Sequence, residues 1–563
     1  MTSVTFIPRL RTDLAAAHFS VPGLTGLWGI EADAALRRNQ RVPAQRALAA
    51  LAAKLGRNEP AATLARLFLL GGAVPRADLE AALPTLGAAG AEELGLVAAH
   101  GSAGVRPLVD LRPYSFIDAH GAGSWWIVSD LGELALGHPL GETHVLGIGG
   151  ASRTLSGLLI STPIERALDI GTGCGIQAMH ASRHAEHVVA TDISMRALEL
   201  AALNAELNEI DNIEFRFGSL FEPVVGEFFD HIISNPPFVI TPRAEGVPSY
   251  EYRDGGMVGD ALVEAVVRGA ADHLTPGGVV QLLGNWEYHD ETDAFERLER
   301  WLTPVAGESA SAGATSAEST SVAISPLASP AASASSALDA WIIEREVQSP
   351  GEYAETWIRD GGTRPGPDFD RLYKAWLNDF EARGVRRVGF GYLLLRRPAG
   401  DEATASNAVA SSQVTRPLTG GGPTLRRLER LPEALGHNPA GLGTHLAECL
   451  AAHDWQARTD DAHLLRTNLT VASDVTEERH YWPGQQDPTL MTLHQGSGFG
   501  RSVPLDTALA GLVGACDGDL AVGAIIGALA QLLDADEQAL TTELLPKVRA
   551  LVVDSFLTGP EPV

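Results

Sequence analysis

The amino-acid sequence predicts an α/β fold whose central domain is built on a mainly parallel sheet of seven strands. From residue 109 to 398, strand and helix patterns alternate, which is typical of a parallel sheet covered by helices on both faces. Two stretches rich in Ala, Ser, Thr, Gly and Pro cannot bury a core and interrupt this pattern. The 563 residues also exceed what one core accommodates. The expected domains are N-terminal 1–108, central 109–398 with a disordered insertion at 306–337, a linker at 399–423, and C-terminal 424–563.

The seven strands are predicted from short apolar segments that end in turn residues or in polar side chains. Each is about five residues long, which suits a strand better than a helix. They lie at 166–170, 188–192, 213–217, 231–234, 279–283, 341–346 and 389–395.

The N-terminal domain is predicted to be mainly helical. Ala and Leu recur at helical spacing over 46–55 and 61–70, and residues 96–97 and 105–108 resemble a pair of short strands. Helices followed by a hairpin are typical of a winged-helix module. A helical cap on the central domain explains the same pattern equally well, so both interpretations stay open.

The C-terminal domain is predicted to be α+β, with short strands before helices. The strand patterns lie at 470–473, 479–482 and 489–493, and the helical patterns at 508–516, 522–533 and 537–557. The segment from Cys516 to Leu520 resembles the start of small winged-helix modules. A plain helical packing domain is the better interpretation of so short a match.

Composition excludes several classes of protein. The longest apolar run, 520–533, is shorter than the roughly 20 residues that cross a bilayer. The N-terminus has no apolar core of signal-peptide type before its charges. Three distant cysteines give neither a disulfide framework nor a zinc pattern. We therefore expect a protein of the reducing cytoplasm, without membrane or metal.

The charge is uneven along the chain. The net charge is −28, and residues 111–300 carry 28 Asp and Glu against 11 Lys and Arg. Such an acidic chain is a poor general binder of nucleic acid. The basic side chains that offer a local grip on a polyanion lie in the N-terminal domain: Arg37, Arg38, Arg41, Arg46, Lys54 and Arg57. This run is equally compatible with an ordinary solvated helix face.

A glycine-rich turn follows the first predicted strand. Asp169 precedes the run Gly171, Thr172, Gly173, Cys174, Gly175, and a helix pattern starts at Ile176. Glycines let the backbone take positive φ and approach a ligand closely, and a helix N-terminus attracts a carboxylate. A dinucleotide fingerprint would need its third glycine at Ile176, and Asp169 suits a cationic ligand better than a pyrophosphate. Cys174 has no acid or histidine partner in sequence, so we interpret it as a small filler residue.

The next two strands supply the other residues of a nucleoside site. Asp192 ends the second strand about 20 residues after the glycines, where a carboxylate accepts hydrogen bonds from ribose hydroxyls. Its alternative role is to cap the helix that follows. Ser219 and Leu220 follow the third strand, where an adenine would lie.

The fourth strand ends in Ser234-Asn235-Pro236-Pro237-Phe238. Together with the glycine turn and Asp192, this motif resembles class I methyltransferases that use S-adenosyl-L-methionine to modify planar amino nitrogens. The resemblance covers about residues 140–300 and implies a Rossmann-like seven-stranded methyltransferase domain. It also implies that Asp169, Gly171, Thr172, Gly173, Gly175, Asp192, Ser219, Leu220 and Asn235 bind the cofactor. Ser219 departs from the family, in which an Asp commonly binds the adenine.

The chemistry explains why the motif uses these residue types. An amide or exocyclic amino nitrogen is a poor nucleophile because its lone pair is delocalised. The Asn235 side chain and the Pro236 carbonyl each accept one N–H and favour tetrahedral geometry at nitrogen. Pro236 and Pro237 fix the backbone, and Phe238 offers a face for a flat acceptor.

Two adjoining segments are further candidates. In the family, the residues before the first strand cover the methionine end of the cofactor, which points to 152–154; a flexible turn is the alternative. Residues 252–257 follow the motif, where relatives contact substrate, although the glycines at 255 and 256 equally suit a plain loop.

Three functions compete. The leading expectation is a nucleic-acid base N-methyltransferase acting on guanine or adenine of ribosomal RNA, since Phe238 is the more frequent aromatic residue among those relatives. The alternative is a methyltransferase of protein glutamine acting on a translation factor, which the acidic central domain favours. A non-catalytic scaffold that only binds the cofactor is the third, and the intact Asp169, Asp192 and Asn235 argue against it.

Overall fold

The computed structural model describes residues 6–136, 140–244, 246–247, 251–290, 292–303, 338–399 and 425–559. The predicted insertion at 306–337 lies outside these residues, as does the predicted linker 399–423 except for its first residue. Within the described part of the chain, no helix is both long and apolar enough to cross a membrane.

A single eight-stranded sheet forms the central domain. Its strands are β6 Ile164–Ile170, β7 Ala185–Asp192, β8 Ile213–Phe217, β9 Phe229–Ser234, β10 Leu274–His289, β11 Asp339–Gln348, β12 Val385–Arg396 and β13 Arg426–Arg430, numbered in chain order after five strands of the N-terminal region. Their order across the sheet is β13-β11-β12-β10-β9-β6-β7-β8. Strands β6 to β10 run parallel to their neighbours among themselves, whereas β12 is antiparallel to β10 and β11. All seven predicted strands are present.

The eighth strand, β13, was not predicted. It lies parallel to β11, with Ala340 opposite Arg426, although the sequence placed it in the C-terminal domain. Its sequence, Arg-Arg-Leu-Glu-Arg, has no apolar alternation because it lies at the sheet edge, where ion pairs hold it. Arg430 pairs with buried Glu344 at 3.1 Å, and Arg427 pairs with Asp554 of the C-terminal domain at 2.7 Å.

Helices cover both faces of the sheet, and two of them form an insertion between β11 and β12. The helices of the central domain are α9 Gly150–Ser156, α10 Ile176–Ala181, α11 Met195–Leu207, α12 Glu251–Asp254, α13 Ala261–Ala270, α14 Ala294–Trp301, α15 Pro350–Asp360 and α16 Pro367–Ala382. The insertion α15–α16 begins at a capping box on Ser349 and packs Tyr353, Trp376 and Phe380 into its own apolar cluster. That cluster includes Val239 and Ile240, which follow the Asn-Pro-Pro-Phe motif.

The N-terminal region is mainly helical, as predicted. Its elements are α1 Ile7–Ala16, α2 Val21–Trp28, α3 Ile30–Leu36, α4 Val42–Leu55, α5 Pro60–Leu64, β1 Val74–Pro75, α6 Arg76–Ala82, α7 Gly87–Glu93, β2 Val97–His100, β3 Gly104–Pro107, β4 Val109–Asp118, β5 Gly121–Asp130 and α8 Glu133–Leu136. The predicted strand pair is the β2–β3 hairpin, which β1 extends to three strands.

A long hairpin, β4–β5, follows and was not predicted. Its residues pair from Val109 with Asp130 to Asp118 with Gly121. Pro113 and the run Gly121-Ala122-Gly123 weaken the strand pattern in the sequence. Apolar side chains of the hairpin share one buried cluster with Ile176 of α10 and Leu200 of α11, so the hairpin packs directly on the central domain.

The C-terminal domain is α+β, as predicted. Its elements are α17 Gly443–Arg458, α18 Asp461–Arg466, β14 Asn468–Val471, β15 Val475–His480, β16 Leu490–Gln495, β17 Ser502–Leu505, α19 Thr507–Gly514, β18 Asp517–Ala521, α20 Val522–Leu532, α21 Glu537–Val553 and β19 Leu557–Thr558. Two small sheets have the orders β18-β14-β19 and β15-β16-β17. Leu446 and Phe499 of this domain pack in one cluster with Trp341 of β11.

Candidate active site

A cavity of about 220 Å³ lies beyond the carboxyl ends of β6, β7 and β9. In an open parallel sheet this edge collects the loops that follow the strands, and ligands bind there. The predicted residues that line the cavity are Gly171, Thr172, Gly173, Asp192, Ser219, Leu220, Asn235, Pro236 and Pro237. The predicted residues Asp169, Gly175 and Phe238 are not part of its lining.

The glycine-rich turn forms one wall of the cavity. Gly171 and Gly173 have φ of +72° and +57°, and a side-chain β-carbon at either position would meet no other atom within 4 Å. The space beside these two residues is therefore open to a ligand. Gly175, with φ of +87°, instead faces Ala201 of α11, so it permits close packing of the helix.

Asp169 lies behind the turn. Its Oδ2 accepts hydrogen bonds from the Thr172 hydroxyl at 2.7 Å and from the Ala178 amide at 2.9 Å. The side chain is fully buried, and burial raises the pKa of Asp169 to about 7. Asp169 therefore supports the turn from inside, whereas the sequence placed it among the residues that bind the cofactor.

Asp192 lies at the rim of the cavity and holds two backbone amides. Its Oδ2 accepts a hydrogen bond from Gly173 N at 2.9 Å, and its Oδ1 accepts one from Ser194 N at 2.8 Å. The cap of α11 is Ser194, whose hydroxyl accepts from the Ala197 amide, so the alternative role proposed for Asp192 belongs to Ser194. Burial raises the pKa of Asp192 above its ordinary value.

Two further side chains complete this part of the cavity. Leu220 takes the left-handed conformation, with φ of +48°, where the chain turns after β8. Cys174 is buried, and burial raises the pKa of its thiol to about 11. A thiol of this pKa is a weak nucleophile at neutral pH, in agreement with its interpretation as a filler residue.

The Asn-Pro-Pro-Phe motif starts where β9 ends. The Ser234 hydroxyl donates a hydrogen bond of 2.9 Å to the Ile170 carbonyl, which ties the motif to the glycine-rich turn. Asn235 Oδ1 is buried and has no hydrogen-bond partner among the described residues. An unpartnered buried acceptor is costly, and a ligand N–H would satisfy it.

Phe238 faces the α15–α16 insertion. Its ring centroid lies 6.4 Å from that of Trp357, at 78° between planes, and 5.5 Å from that of Phe390. All three rings are half-buried. They form an aromatic wall next to the motif, outside the cavity itself.

The backbone just beyond Phe238 is also held by the insertion. The Ile240 amide donates a hydrogen bond of 3.0 Å to the hydroxyl of buried Tyr353, and the Asn285 side chain donates to the same hydroxyl. No sequence signal pointed to Tyr353 or Trp357, because they are separated from the motif by more than 110 residues.

Other cavity residues were missed by sequence reasoning or only partly anticipated. Ser152 lines the cavity, as expected of the segment before β6, whereas Arg153 and Thr154 do not. Residues 143–147 and Gln177 also line it. Gln177 is a polar residue on a fully buried helix, and this is the signal that could have identified it. Of the predicted segment 252–257, Gly255 and Met257 line the cavity.

These residues fit S-adenosylmethionine. The open space beside Gly171 and Gly173 admits an extended ligand, and the carboxylate of Asp192 provides acceptors for two hydroxyls. Asn235, whose Oδ1 is buried without a partner among the described residues, also lines this cavity.

Comparison with protein families assigns the central domain. Residues 147–303 match the family described as "Methyltransferase small domain". Residues 16–108 and 447–558 match two families described only as domains of unknown function, DUF7059 and DUF7782.

Individual relatives match a part of the chain. The ribosomal protein uL3 glutamine methyltransferase of Bradyrhizobium diazoefficiens is 37% identical over 176 residues, which are 29% of this chain and 53% of the relative. The release factor glutamine methyltransferase of Xylella fastidiosa is 36% identical over 132 residues, 22% of this chain and 48% of the relative. A putative protein N5-glutamine methyltransferase of Methanocaldococcus jannaschii is 37% identical over 128 residues, 22% of this chain and 64% of the relative.

The chain thus spans about half to two thirds of the length of these relatives. The prediction that the central domain is a class I methyltransferase that depends on S-adenosylmethionine is confirmed. The expectation of a nucleic-acid base as acceptor finds no support, because these relatives are named for protein glutamine. The comparisons favour the alternative acceptor of the sequence analysis.

Proposed function

We propose that the S-adenosylmethionine-dependent methyltransferase domain of this chain methylates the side-chain amide nitrogen of a glutamine in a protein of the translation machinery. The observation that carries the proposal is Asn235, a residue of the cavity wall whose side-chain oxygen is buried without a hydrogen-bond partner among the described residues. The names of the relatives support a glutamine as acceptor.

The residues of the motif account for the reaction. Bound S-adenosylmethionine supplies an electrophilic methyl group. Asn235 Oδ1 accepts one N–H of the glutamine amide and turns the nitrogen lone pair toward that methyl. The nitrogen forms a bond to the methyl carbon while the bond from that carbon to the cofactor sulfur breaks and leaves its electron pair on sulfur, and the nitrogen then loses one proton to water. Asn235 is neutral and does not act as a base, so it contributes by orientation and by hydrogen bonding in the transition state.

The aromatic wall suits the remainder of the acceptor. The half-buried rings of Phe238, Trp357 and Phe390 lie next to the motif and present apolar surface. A glutamine amide is flat and its methylenes are apolar, so both pack favourably on such rings. Trp357 belongs to the insertion between β11 and β12, which makes the insertion a candidate for contact with the acceptor protein.

The test uses S-adenosylmethionine with a tritiated methyl group and the purified chain. Two separate acceptors are offered, recombinant ribosomal protein uL3 and a recombinant release factor, together with total RNA as a third. We expect label in one of the proteins and a methylated glutamine in its peptides by mass spectrometry. The same acceptor with that glutamine replaced by Asn should take no label.

The Asn235→Ala chain serves as the matched control and should transfer little label. Label recovered in RNA, with both proteins unlabelled, would overturn the glutamine assignment and restore the nucleic-acid expectation. Label on a protein side chain other than glutamine would overturn the assignment of the acceptor while leaving the methyltransferase domain in place.

A further inference from the structure

Part of the cavity wall is formed by residues outside the segment that matches the methyltransferase family. Residues 143–146 line the cavity, and the family match begins at residue 147. The N-terminal family match ends at residue 108, so the β4–β5 hairpin also lies between the two. Asp130, the last residue of β5, forms hydrogen bonds between these two unmatched parts.

Asp130 makes three contacts around the cavity rim. Its Oδ2 accepts a hydrogen bond from Val145 N at 3.0 Å, and its own amide donates one to the Val145 carbonyl at 3.1 Å. Its Oδ1 pairs with Arg196 at 3.1 Å. Val145 lines the cavity, and Arg196 lies in the first turn of α11, four residues after Asp192. One carboxylate therefore connects the rim to the helix beside the predicted ribose site.

The strand that carries Asp130 is itself fixed to the central domain. The Asn204 side chain of α11 accepts a hydrogen bond from Val128 N at 2.7 Å and donates to the Val128 carbonyl at 2.9 Å. The same amide group donates to the Cys174 carbonyl in the glycine-rich turn at 2.9 Å. Asn208 bonds the backbone of Trp126 in the same manner. The hairpin is thus a fixed support.

We propose that Asp130 is a positioning residue of the cofactor site, which holds residues 143–146 against the cavity so that the hairpin supports the binding wall from outside. The inference rests on the proposed function to the extent that the cavity takes S-adenosylmethionine. It assigns the hairpin a task in cofactor binding.

The chain offers a matched control at the other end of the hairpin. Asp118, the last residue of β4, pairs with Arg183 after α10 at 2.6 Å. This pair also ties the hairpin to the central domain. Asp118 bonds Arg183 and the His120 amide, neither of which lines the cavity, whereas Asp130 bonds Val145, which does. Loss of Asp118 should affect the attachment of the hairpin without releasing the rim.

The experiment measures binding of S-adenosylmethionine by calorimetry to the full chain and to Asp130→Ala, Asp130→Asn and Asp118→Ala. We expect the dissociation constant to rise about tenfold for Asp130→Ala, because the substitution removes the hydrogen bond to Val145 N and the ion pair with Arg196, although the backbone bond to the Val145 carbonyl remains. Asp130→Asn keeps an acceptor for Val145 N, so its dissociation constant should lie between those of the unsubstituted chain and Asp130→Ala. Asp118→Ala should stay within about twofold of the unsubstituted chain at a similar melting temperature.

Hydrogen exchange provides a second readout, because the Val145 amide loses its side-chain acceptor in Asp130→Ala. Partial recovery of cofactor affinity in Asp130→Asn at an unchanged melting temperature is the result that a merely structural role would not give. The amide of Val145 should exchange faster in Asp130→Ala than in the unsubstituted chain, and its exchange rate should be unchanged in Asp118→Ala. Equal dissociation constants for Asp130→Ala and the unsubstituted chain, or equal losses for both substitutions, would overturn the inference. Failure of the unsubstituted chain to bind S-adenosylmethionine would instead count against the proposed function, and it is seen before any substitution is made.

Discussion

The Gly173 amide donates a hydrogen bond of 2.9 Å to Oδ2 of Asp192, which joins the glycine-rich turn after β6 to the end of β7. A second amide, that of Ser194, binds the other oxygen of the same carboxylate. Asp192 therefore shapes the cavity before any ligand is bound, and it retains lone pairs for hydroxyl donors.

Two substitutions of Asp192 separate its hydrogen bonds to the backbone from its expected hydrogen bonds to the cofactor. Asp192→Ala should weaken binding of S-adenosylmethionine at least about tenfold, since charge-assisted hydrogen bonds contribute roughly 1.5–3 kcal/mol each. Asp192→Asn keeps one backbone amide bond and should lose less. Calorimetry with each chain measures the difference, and NAD serves as the ligand that none of them should bind. Unchanged affinity in Asp192→Ala would show that the carboxylate does not contact the cofactor.

Asn235 should affect turnover and leave cofactor affinity nearly unchanged. Asn235→Ala removes an acceptor at the reacting nitrogen, so we expect turnover to fall about a hundredfold or more, with the dissociation constant of S-adenosylmethionine within a few-fold. Asn235→Asp keeps an acceptor oxygen and should retain part of the activity. Rates at saturating cofactor and calorimetry together make the test. Full turnover in Asn235→Ala would contradict the mechanism even if the cofactor assignment stood.

Tyr353 should act through the backbone that follows the motif. Its hydroxyl accepts hydrogen bonds from Ile240 N and from Asn285, so Tyr353→Phe leaves two buried donors without a partner. We expect slower methyl transfer and a lower melting temperature, with unchanged cofactor affinity because the cavity is not touched. Tyr373→Phe, which removes a hydroxyl from neighbouring α16, is the matched control. If both substitutions reduced turnover equally, the specific role of Tyr353 would be excluded.

The buried carboxyl group of Asp169 should make the stability of the folded chain depend on pH. Burial raises its pKa to about 7 in the folded chain, from an ordinary value near 3.8. The folded state therefore binds the proton more tightly than the unfolded state, and the stability linked to this group is lost as pH rises from about 4 through 7. Asp169→Asn does not titrate. Its melting temperature relative to the unsubstituted chain should increase between pH 5 and pH 8.

The control for this prediction is the exposed Asp211, where the change to Asn should give the same difference in melting temperature at both pH values. A difference for Asp169→Asn that stayed flat or declined with pH would show that the carboxyl group is already ionised below pH 5 in the folded chain.

Local motifs predicted the cofactor side of the site from the sequence. Gly171, Gly173, Asp192 and Asn235 each follow directly after a strand of a parallel sheet, so their convergence at one edge follows from the order of strands and helices alone. The order of strands and helices did not predict which residues of the motif line the cavity and which support it from behind. Asp169 and Gly175 belong to the same motif, yet they face the protein interior: Asp169 bonds the Thr172 hydroxyl and the Ala178 amide, and Gly175 packs against Ala201.

The remaining parts depend on contacts between distant segments. Tyr353 meets Ile240 across 113 residues, and Asn204 meets Val128 across 76, with no shared motif in either pair. Strand β13 was missed because its charged side chains form ion pairs with residues elsewhere in the sequence, such as Glu344 and Asp554. Patterns of hydrophobicity do not report such pairings.

The location of β13 implies an order of folding events while the chain is being synthesised. As the chain is synthesised, β11 is complete many residues before Arg426–Arg430 can pair with it, and an unpaired strand edge of Trp341, Ile342 and Ile343 readily joins other chains. The central sheet is thus completed only after residues 426–430 have been synthesised. Proteolysis between 400 and 424 would give two fragments that need one another, and a central domain expressed without residues 426–430 should aggregate.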